Sequence, residues 1–167
     1  MNMIQITRKI MMPVLAGLII MLITSCLGTE KYEKEEKEEI QKFLMRNPDL
    51  DFDLKESGLY YLDVKVGTGV QPVTNDTAYI FYTGRYLDES KFGTNVGTTD
   101  TLIAPVNVGY LIPGFDEAIT YMKVGGNSKF IVPSYLGYGQ SGYYFPAYTP
   151  ILFEVDLVRV KAGPGAK

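Results

Sequence analysis

Residues 111–119, Leu-Ile-Pro-Gly-Phe-Asp-Glu-Ala-Ile, contain the start of a helix. Pro113 suits the first helical position, because the N–H that proline lacks would have no partner there. Apolar side chains then recur at the i, i+3, i+4, i+7 spacing of one buried helical face, at Phe115, Ala118, Ile119 and Met122. The spacing predicts a short helix packed on another layer. Because its first turn presents Ile112 beside Phe115, we expect a shallow apolar pocket at this end of the helix.

From Gly58 onward the chain shows the period of two that is typical of half-buried strands. The first such strand is predicted over residues 60–66, with a buried face that carries Tyr60, Leu62, Val64 and Val66. A second strand is predicted over residues 77–87. Gly84 lies inside it and indicates a bulge or the close approach of another group.

Three more strands are predicted, at Val106–Val108, over residues 128–132 and over residues 151–157. In the last of these, Ile151, Phe153, Val155 and Leu157 share one face, and the acidic Glu154 and Asp156 share the other. Residues 88–104 are predicted to be a long irregular crossing. Several antiparallel strands with one short helix predict an α+β fold, in which a curved half-barrel sheet wraps on that helix.

The N-terminal 25 residues have the pattern of an export signal. Arg8 and Lys9 precede an apolar run that ends in small residues before Cys26, and the run is too short for a membrane span. The ending resembles a bacterial lipobox, in which the cysteine is lipidated and becomes the new N-terminus. An ordinary cleavable signal with a chance cysteine is the alternative.

Residues 26–57 are predicted to be a tether followed by an N-terminal helix. Ile40, Phe43 and Leu44 form a thin apolar stripe on this charged helix, which favours docking on the main domain. A dimerisation helix is the other interpretation. Residues 162–167 are predicted to be a tail.

Composition excludes several classes of function. Removing residues 1–25 takes away two bases and no acids, which leaves 14 basic and 19 acidic side chains and a net charge of −5. An acidic chain without a basic cluster is a poor nucleic-acid binder, so no nucleic-acid partner is expected. The chain has no histidine, which excludes a Ser-His-Asp triad and any histidine metal site. We expect neither a metal site nor a cofactor.

Five motifs occur in the order and approximate spacing of the FK506-binding-protein (FKBP) type peptidyl-prolyl isomerases: Tyr82-Thr83-Gly84, Lys91-Phe92, Leu111 to Phe115, Tyr138-Gly139 and Ile151 to Val155. The resemblance covers about residues 58–161, which are predicted to form an FKBP-like domain. The N-terminal helix on a lipoprotein also resembles bacterial members of this family.

The resemblance implies a role for nine residues around a pocket for a proline ring. Tyr82, Ile112 and Tyr138 would be catalytic, with the Ile112 N–H and the Tyr138 hydroxyl as donors to the substrate. The other six would bind the substrate, with Phe115 as the floor where the family usually has tryptophan: Phe92, Leu111, Phe115, Tyr144, Phe145 and Phe153.

The function that the resemblance implies is cis–trans isomerisation of X–Pro bonds in exported polypeptides, by an enzyme held in the bacterial cell envelope through lipid on Cys26. Gly93 stands where the family usually has aspartate, and residues 104–106 stand where it commonly has a phenylalanine. These departures predict reduced activity. The alternative is a catalytically weak or inactive peptide-binding chaperone or scaffold lipoprotein, and a third possibility is a partner-binding subunit that uses the N-terminal helix.

Overall fold

The computed structural model describes residues 29–140 and 145–164. The chain divides into two units, residues 1–37 and 38–167. Residues 29–46 are helical and are called α1. The other elements follow in chain order: β1 (Asp53–Leu54), β2 (Tyr60–Lys65), β3 (Thr77–Tyr86), β4 (Lys91–Thr94), β5 (Leu102–Pro105), α2 (Pro113–Tyr121), β6 (Asn127–Val132), a 3-10 turn (Ser134–Leu136) and β7 (Ile151–Lys161).

The seven strands form one antiparallel sheet in the order β1-β2-β6-β7-β3-β4, with β5 paired to β3. The last strand of the chain lies near the centre, because β7 pairs with β3 along Ile151–Lys161 and with β6 on its other side. With α2 packed against this sheet, the α+β prediction is confirmed.

The predicted start and buried face of α2 are both observed. Ile112 is the N-cap and Pro113 takes the first helical position. The apolar face is buried, including Met122 at the C-cap, which is 1% exposed. On β7 the predicted alternation is also confirmed, since Ile151, Phe153, Val155 and Leu157 all belong to the core beneath α2.

A second apolar cluster lies on the other face of the sheet. Ile131 and Leu152 alternate along their strands with residues of the first core, so their side chains point away from α2. Ile40 and Phe43 of α1 pack with them, and both are buried. Residues 38–46 of α1 are therefore docked on the sheet, as the apolar stripe predicted.

The predicted buried face of β2 is wrong. Tyr61 is the core residue of this strand, whereas Val64 and Val66 are 53% and 62% exposed. The reason is tertiary, because pairing places Tyr61 opposite Phe130. The Tyr61 hydroxyl is then satisfied by Asp63 at 2.7 Å and by Ser128 at 2.9 Å, so the large ring can be buried.

The prediction for residues 88–108 also needs correction. This segment contains β4 and β5, both paired with β3, where an irregular crossing was expected. The strand predicted at Val106–Val108 instead ends at Pro105. Asn107 has a left-handed backbone with φ of 55°, which ends the extended run. In residues 29–140 and 145–164, no helix is both long and apolar enough to cross a membrane.

Candidate active site

Tyr82, Gly84 and Tyr86 are spaced two residues apart on β3, so all three lie on the inner face of this strand. Gly84 lets two rings approach the backbone. A Cβ at this position would lie 2.4 Å from Cζ of Phe92 and 3.1 Å from Cε1 of Phe153. The register of β3 against β4 also shifts between Gly84 and Arg85. Both the bulge and the close approach that Gly84 indicated are therefore observed.

The predicted aromatic residues form a continuous row of ring contacts. Phe115 of α2 meets Phe153 of β7 edge-on with ring centroids 4.8 Å apart, and Phe153 meets Phe92 of β4 at 5.9 Å. Phe145 continues the row, because its centroid lies 4.8 Å from that of Phe92. The Phe145 ring is also stacked on Tyr138, with centroids 4.1 Å apart. One helix, two strands and two residues outside the regular elements thus converge on one apolar surface.

Tyr82 lies above this row, with its ring centroid 6.3 Å from those of both Phe115 and Phe153. Side chains of the last residue of β4 and of the residue after it hold the Tyr82 backbone. Oδ1 of Asn95 accepts the Tyr82 N–H at 2.7 Å, and the Thr94 hydroxyl donates to the Tyr82 carbonyl at 2.9 Å. The position of the Tyr82 ring is therefore fixed from two sides.

The N-terminus of α2 supplies a backbone donor at the edge of the rings. Ile112 is half-buried and packs on the core together with Leu111. Its carbonyl accepts the N–H groups of Phe115 and Asp116, each at 3.0 Å. No acceptor among the described residues takes the Ile112 N–H itself. Within the described residues, this donor is therefore open to a ligand carbonyl.

The hydroxyls of Tyr82 and Tyr138 lie near the same apolar surface. Burial raises the pKa of the Tyr138 hydroxyl above its ordinary value, and the nearby Tyr82 raises this pKa further. Neither hydroxyl has a hydrogen-bond partner within residues 29–140 and 145–164. Gly93 faces Tyr82, since a Cβ built on Gly93 would lie 3.8 Å from the Tyr82 hydroxyl oxygen and near nothing else. Because its pKa is raised, the Tyr138 hydroxyl remains a neutral donor at physiological pH.

Most of the site residues predicted from the sequence are brought together, and two lie outside the described residues. The predicted residues placed at the site are Tyr82, Phe92, Leu111, Ile112, Phe115, Tyr138, Phe145 and Phe153. Tyr144 and the predicted lipidation residue Cys26 fall in the parts of the chain that are not described.

Sequence reasoning missed two rings and one carboxylate. Tyr86 contacts Phe92 at 5.4 Å, and its spacing of four residues from Tyr82 on one strand could have placed it there. Phe130 contacts Phe115 at 5.2 Å, because β6 pairs it with Phe153, and no local pattern indicates that register. The third residue is Asp116, whose contacts with residues 107–109 have no local signature.

Comparison with solved structures supports the fold. FkpA from Escherichia coli superposes with a TM-score of 0.67 at 25% identity, over 92% of this chain and 73% of that one. Among curated proteins, an FKBP-type peptidyl-prolyl cis-trans isomerase FkpA from Aeromonas hydrophila is 37% identical over 107 residues. That match takes in 64% of this chain but 39% of the relative, so the chain spans about two fifths of the relative's length.

A shorter relative matches along nearly all of its length. An FK506-binding protein from Neisseria meningitidis is 33% identical over 105 residues, which are 62% of this chain and 96% of the relative. The family model described as FKBP-type peptidyl-prolyl cis-trans isomerase matches residues 69–158, more than half of the chain, and includes every described ring of the site. The chain therefore belongs to the FKBP-type peptidyl-prolyl cis-trans isomerase family.

Proposed function

We propose that the chain is a peptidyl-prolyl cis–trans isomerase that acts on X–Pro bonds of exported polypeptides. The observation that supports this proposal is that no described residue accepts the N–H of Ile112, whose side chain packs on the apolar cluster that includes Phe92, Phe115 and Phe153. The pyrrolidine ring of proline fits an apolar aromatic surface, and the neighbouring substrate carbonyl needs a hydrogen-bond donor at the edge of that surface. The aromatic rings and the Ile112 N–H would supply these two requirements.

The chemistry needs no proton shuttle, which suits a chain without histidine. Rotation about the peptide bond is opposed by amide resonance, with a barrier of about 18–20 kcal/mol. Resonance separates charge, and water stabilises the separated, planar form. An apolar pocket withdraws that solvation from the planar amide more than from the twisted one, so the barrier falls. Donors such as the Ile112 N–H and the Tyr138 hydroxyl hold the substrate carbonyls during the rotation.

The proposed setting is the bacterial cell envelope. The proposed order along the chain is a signal peptide (1–25), a tether and helix (26–57), the isomerase domain (58–161) and a tail (162–167). Lipid on Cys26 would hold the domain at a membrane surface, where proline-containing segments of newly exported chains are its substrates. Uncatalysed exchange of X–Pro bonds takes about 10–100 s, so even modest acceleration matters to folding.

A peptide-binding chaperone or scaffold without useful turnover is the second candidate, and Gly93 favours it. The Tyr82 hydroxyl faces Gly93, where a carboxylate could have accepted its hydrogen bond. Since a Cβ at position 93 would be 3.8 Å from that oxygen, the carboxylate of Gly93→Asp can reach hydrogen-bonding distance. Such a bond contributes about 1 kcal/mol, and expressed in full in the transition state it corresponds to a rate about fivefold higher.

The test is a proline-limited refolding assay with the full chain, extracted from membranes in detergent. Wild type is expected to accelerate the slow phase, and Gly93→Asp to accelerate it about fivefold more. A triple variant with Phe92→Ala, Tyr138→Phe and Phe153→Ala is expected to refold the substrate at the uncatalysed rate. Equal rates for wild type and the triple variant would exclude catalysis. Peptide binding without acceleration in wild type would establish the chaperone instead.

A further inference from the structure

Asp116 is a buried carboxylate at the start of α2, with 4% of its surface exposed. Its two oxygens each accept a backbone N–H from the preceding loop: Oδ1 from Asn107 at 2.5 Å and Oδ2 from Gly109 at 2.8 Å. No lysine or arginine in the described part of the chain pairs with it. A buried charge must be hydrogen-bonded to be tolerated, so these two bonds hold the loop and the carboxylate to each other.

The loop is shaped to receive a carboxylate. Asn107 and Gly109 both have left-handed backbones, with φ of 55° and 73°. Alternation of right- and left-handed residues turns successive N–H groups to one side and forms a concavity that binds anions. The Asn107 side chain also donates to the Thr74 hydroxyl at 2.9 Å, which anchors the loop from its other side.

The same residue holds the other end of this segment. The backbone N–H of Asp116 donates to the Ile112 carbonyl at 3.0 Å. Asp116 is therefore hydrogen-bonded to residues 107 and 109 through its side chain and to residue 112 through its main chain. Leu111 and the Ile112 N–H, which no described residue accepts, belong to the short stretch between these two contacts.

We propose that Asp116 is a positioning residue that sets the direction of the Ile112 N–H and the position of the Leu111 side chain at the proline site. The inference rests on the proposed function, because the Ile112 N–H matters only if it binds a substrate carbonyl. Asp116 itself touches no substrate. A displacement of about 1 Å in a positioned group lowers turnover by as much as a hundredfold. Loss of the hydrogen bonds of Asp116 on either side is therefore expected to lower the rate of catalysed exchange measurably.

The first test replaces one acceptor oxygen by an amide that cannot accept an N–H, in Asp116→Asn. Asp76→Asn is the matched control, because Asp76 is 6% exposed and also accepts two backbone N–H groups, from Val73 at 3.0 Å and Gly163 at 2.9 Å. We expect kcat/KM of the full chain to fall at least tenfold in the first variant and to stay within about twofold in the control. Equal losses in the two variants, or no loss in Asp116→Asn, would overturn the proposal.

The second test leaves the carboxylate intact and serves if Asp116→Asn does not fold. Gly109→Ala strains the left-handed loop without a clash, since nothing lies within 4 Å of a Cβ there. Gly125→Ala is the matched control, because Gly125 also has a left-handed φ, of 84°, and equally open surroundings. We expect Gly109→Ala alone to weaken binding of a Leu-Pro tetrapeptide at least threefold and to reduce the shift of the Ile112 amide signal on titration. Identical behaviour of the two variants would refute the positioning role.

The wild-type control separates this inference from the proposed function. If wild type binds the tetrapeptide through Ile112 but does not accelerate exchange, catalysis is refuted while the affinity ratios still decide the role of Asp116. If wild type shows no shift at Ile112 at all, both the proposed function and the positioning role are wrong.

Discussion

Replacing Gly84 with alanine adds a methyl group where β3 passes beneath two aromatic rings. The new Cβ would lie 2.4 Å and 2.6 Å from two ring carbons of Phe92 and 3.1 Å from a ring carbon of Phe153. Ordinary van der Waals contact begins at 3.4 Å, so the Phe92 ring has to retreat by about 1 Å. The residues that must move are those that form the proposed proline site.

The matched control is Gly93→Ala on the neighbouring strand. Gly84 and Gly93 are partners in the β3–β4 register, and a Cβ on Gly93 meets nothing closer than 3.8 Å. Both variants lower the conformational entropy of the unfolded chain equally, which stabilises the folded protein by about 0.5–1 kcal/mol in each. The difference between them therefore isolates the overlap with the rings, which costs about 1–3 kcal/mol. For a chain of this length, that difference corresponds to a Tm lower by about 2–12 °C in Gly84→Ala.

Activity should separate the two variants more sharply than stability. With Phe92 displaced by about 1 Å, kcat/KM is expected to fall at least tenfold in Gly84→Ala and to remain near the wild-type value in Gly93→Ala. Thermal unfolding followed by circular dichroism gives the Tm, and the refolding assay gives the rate. A Gly84→Ala protein with the Tm and kcat/KM of Gly93→Ala would show that Phe92 does not form the proline site.

Two further predictions concern the donors and the docked helix. Because burial holds the pKa of Tyr138 above its ordinary value near 10, its hydroxyl stays protonated and kcat/KM should be constant from about pH 6 to 9, declining only at higher pH; an inflection near pH 7 in stopped-flow exchange measurements would contradict this. Phe43→Ala should lower stability by about 3–5 kcal/mol in urea titrations, because Phe43 is 1% exposed. Met45→Ala, at a residue 71% exposed on the same helix, should change it by less than about 0.5 kcal/mol, and equal effects would show that this part of α1 is not docked.

Elements with a complete local pattern were predicted correctly. Pro113 and the apolar spacing after it define the start and the buried face of α2, and alternation along Ile151 to Leu157 defines the core face of β7. The stripe of Ile40 and Phe43 likewise indicated a docked helix. In each case the residues that form the pattern are neighbours within one element, so the information lies in the sequence itself.

Pairing between strands decided the features that the sequence left open or for which it gave a wrong prediction. Val64 of β2 and the adjacent Val66 are exposed and Tyr61 is buried, because pairing with β6 places Tyr61 opposite Phe130, and Asp63 and Ser128 satisfy its hydroxyl. β4 and β5 carry weak local patterns and exist through their pairing with β3.

The sequence by itself determined the helix start, the alternating strands and the kinds of side chain available for a proline site without histidine. Only the tertiary structure decided that Phe145 and Phe153 approach Phe92 from different strands and loops, and that Asp116 turns its carboxylate toward backbone N–H groups seven and nine residues earlier. The physical reason is that these contacts depend on strand register and on loop dihedral angles. Both are set by the energy of the whole packed core, and no short segment contains that information.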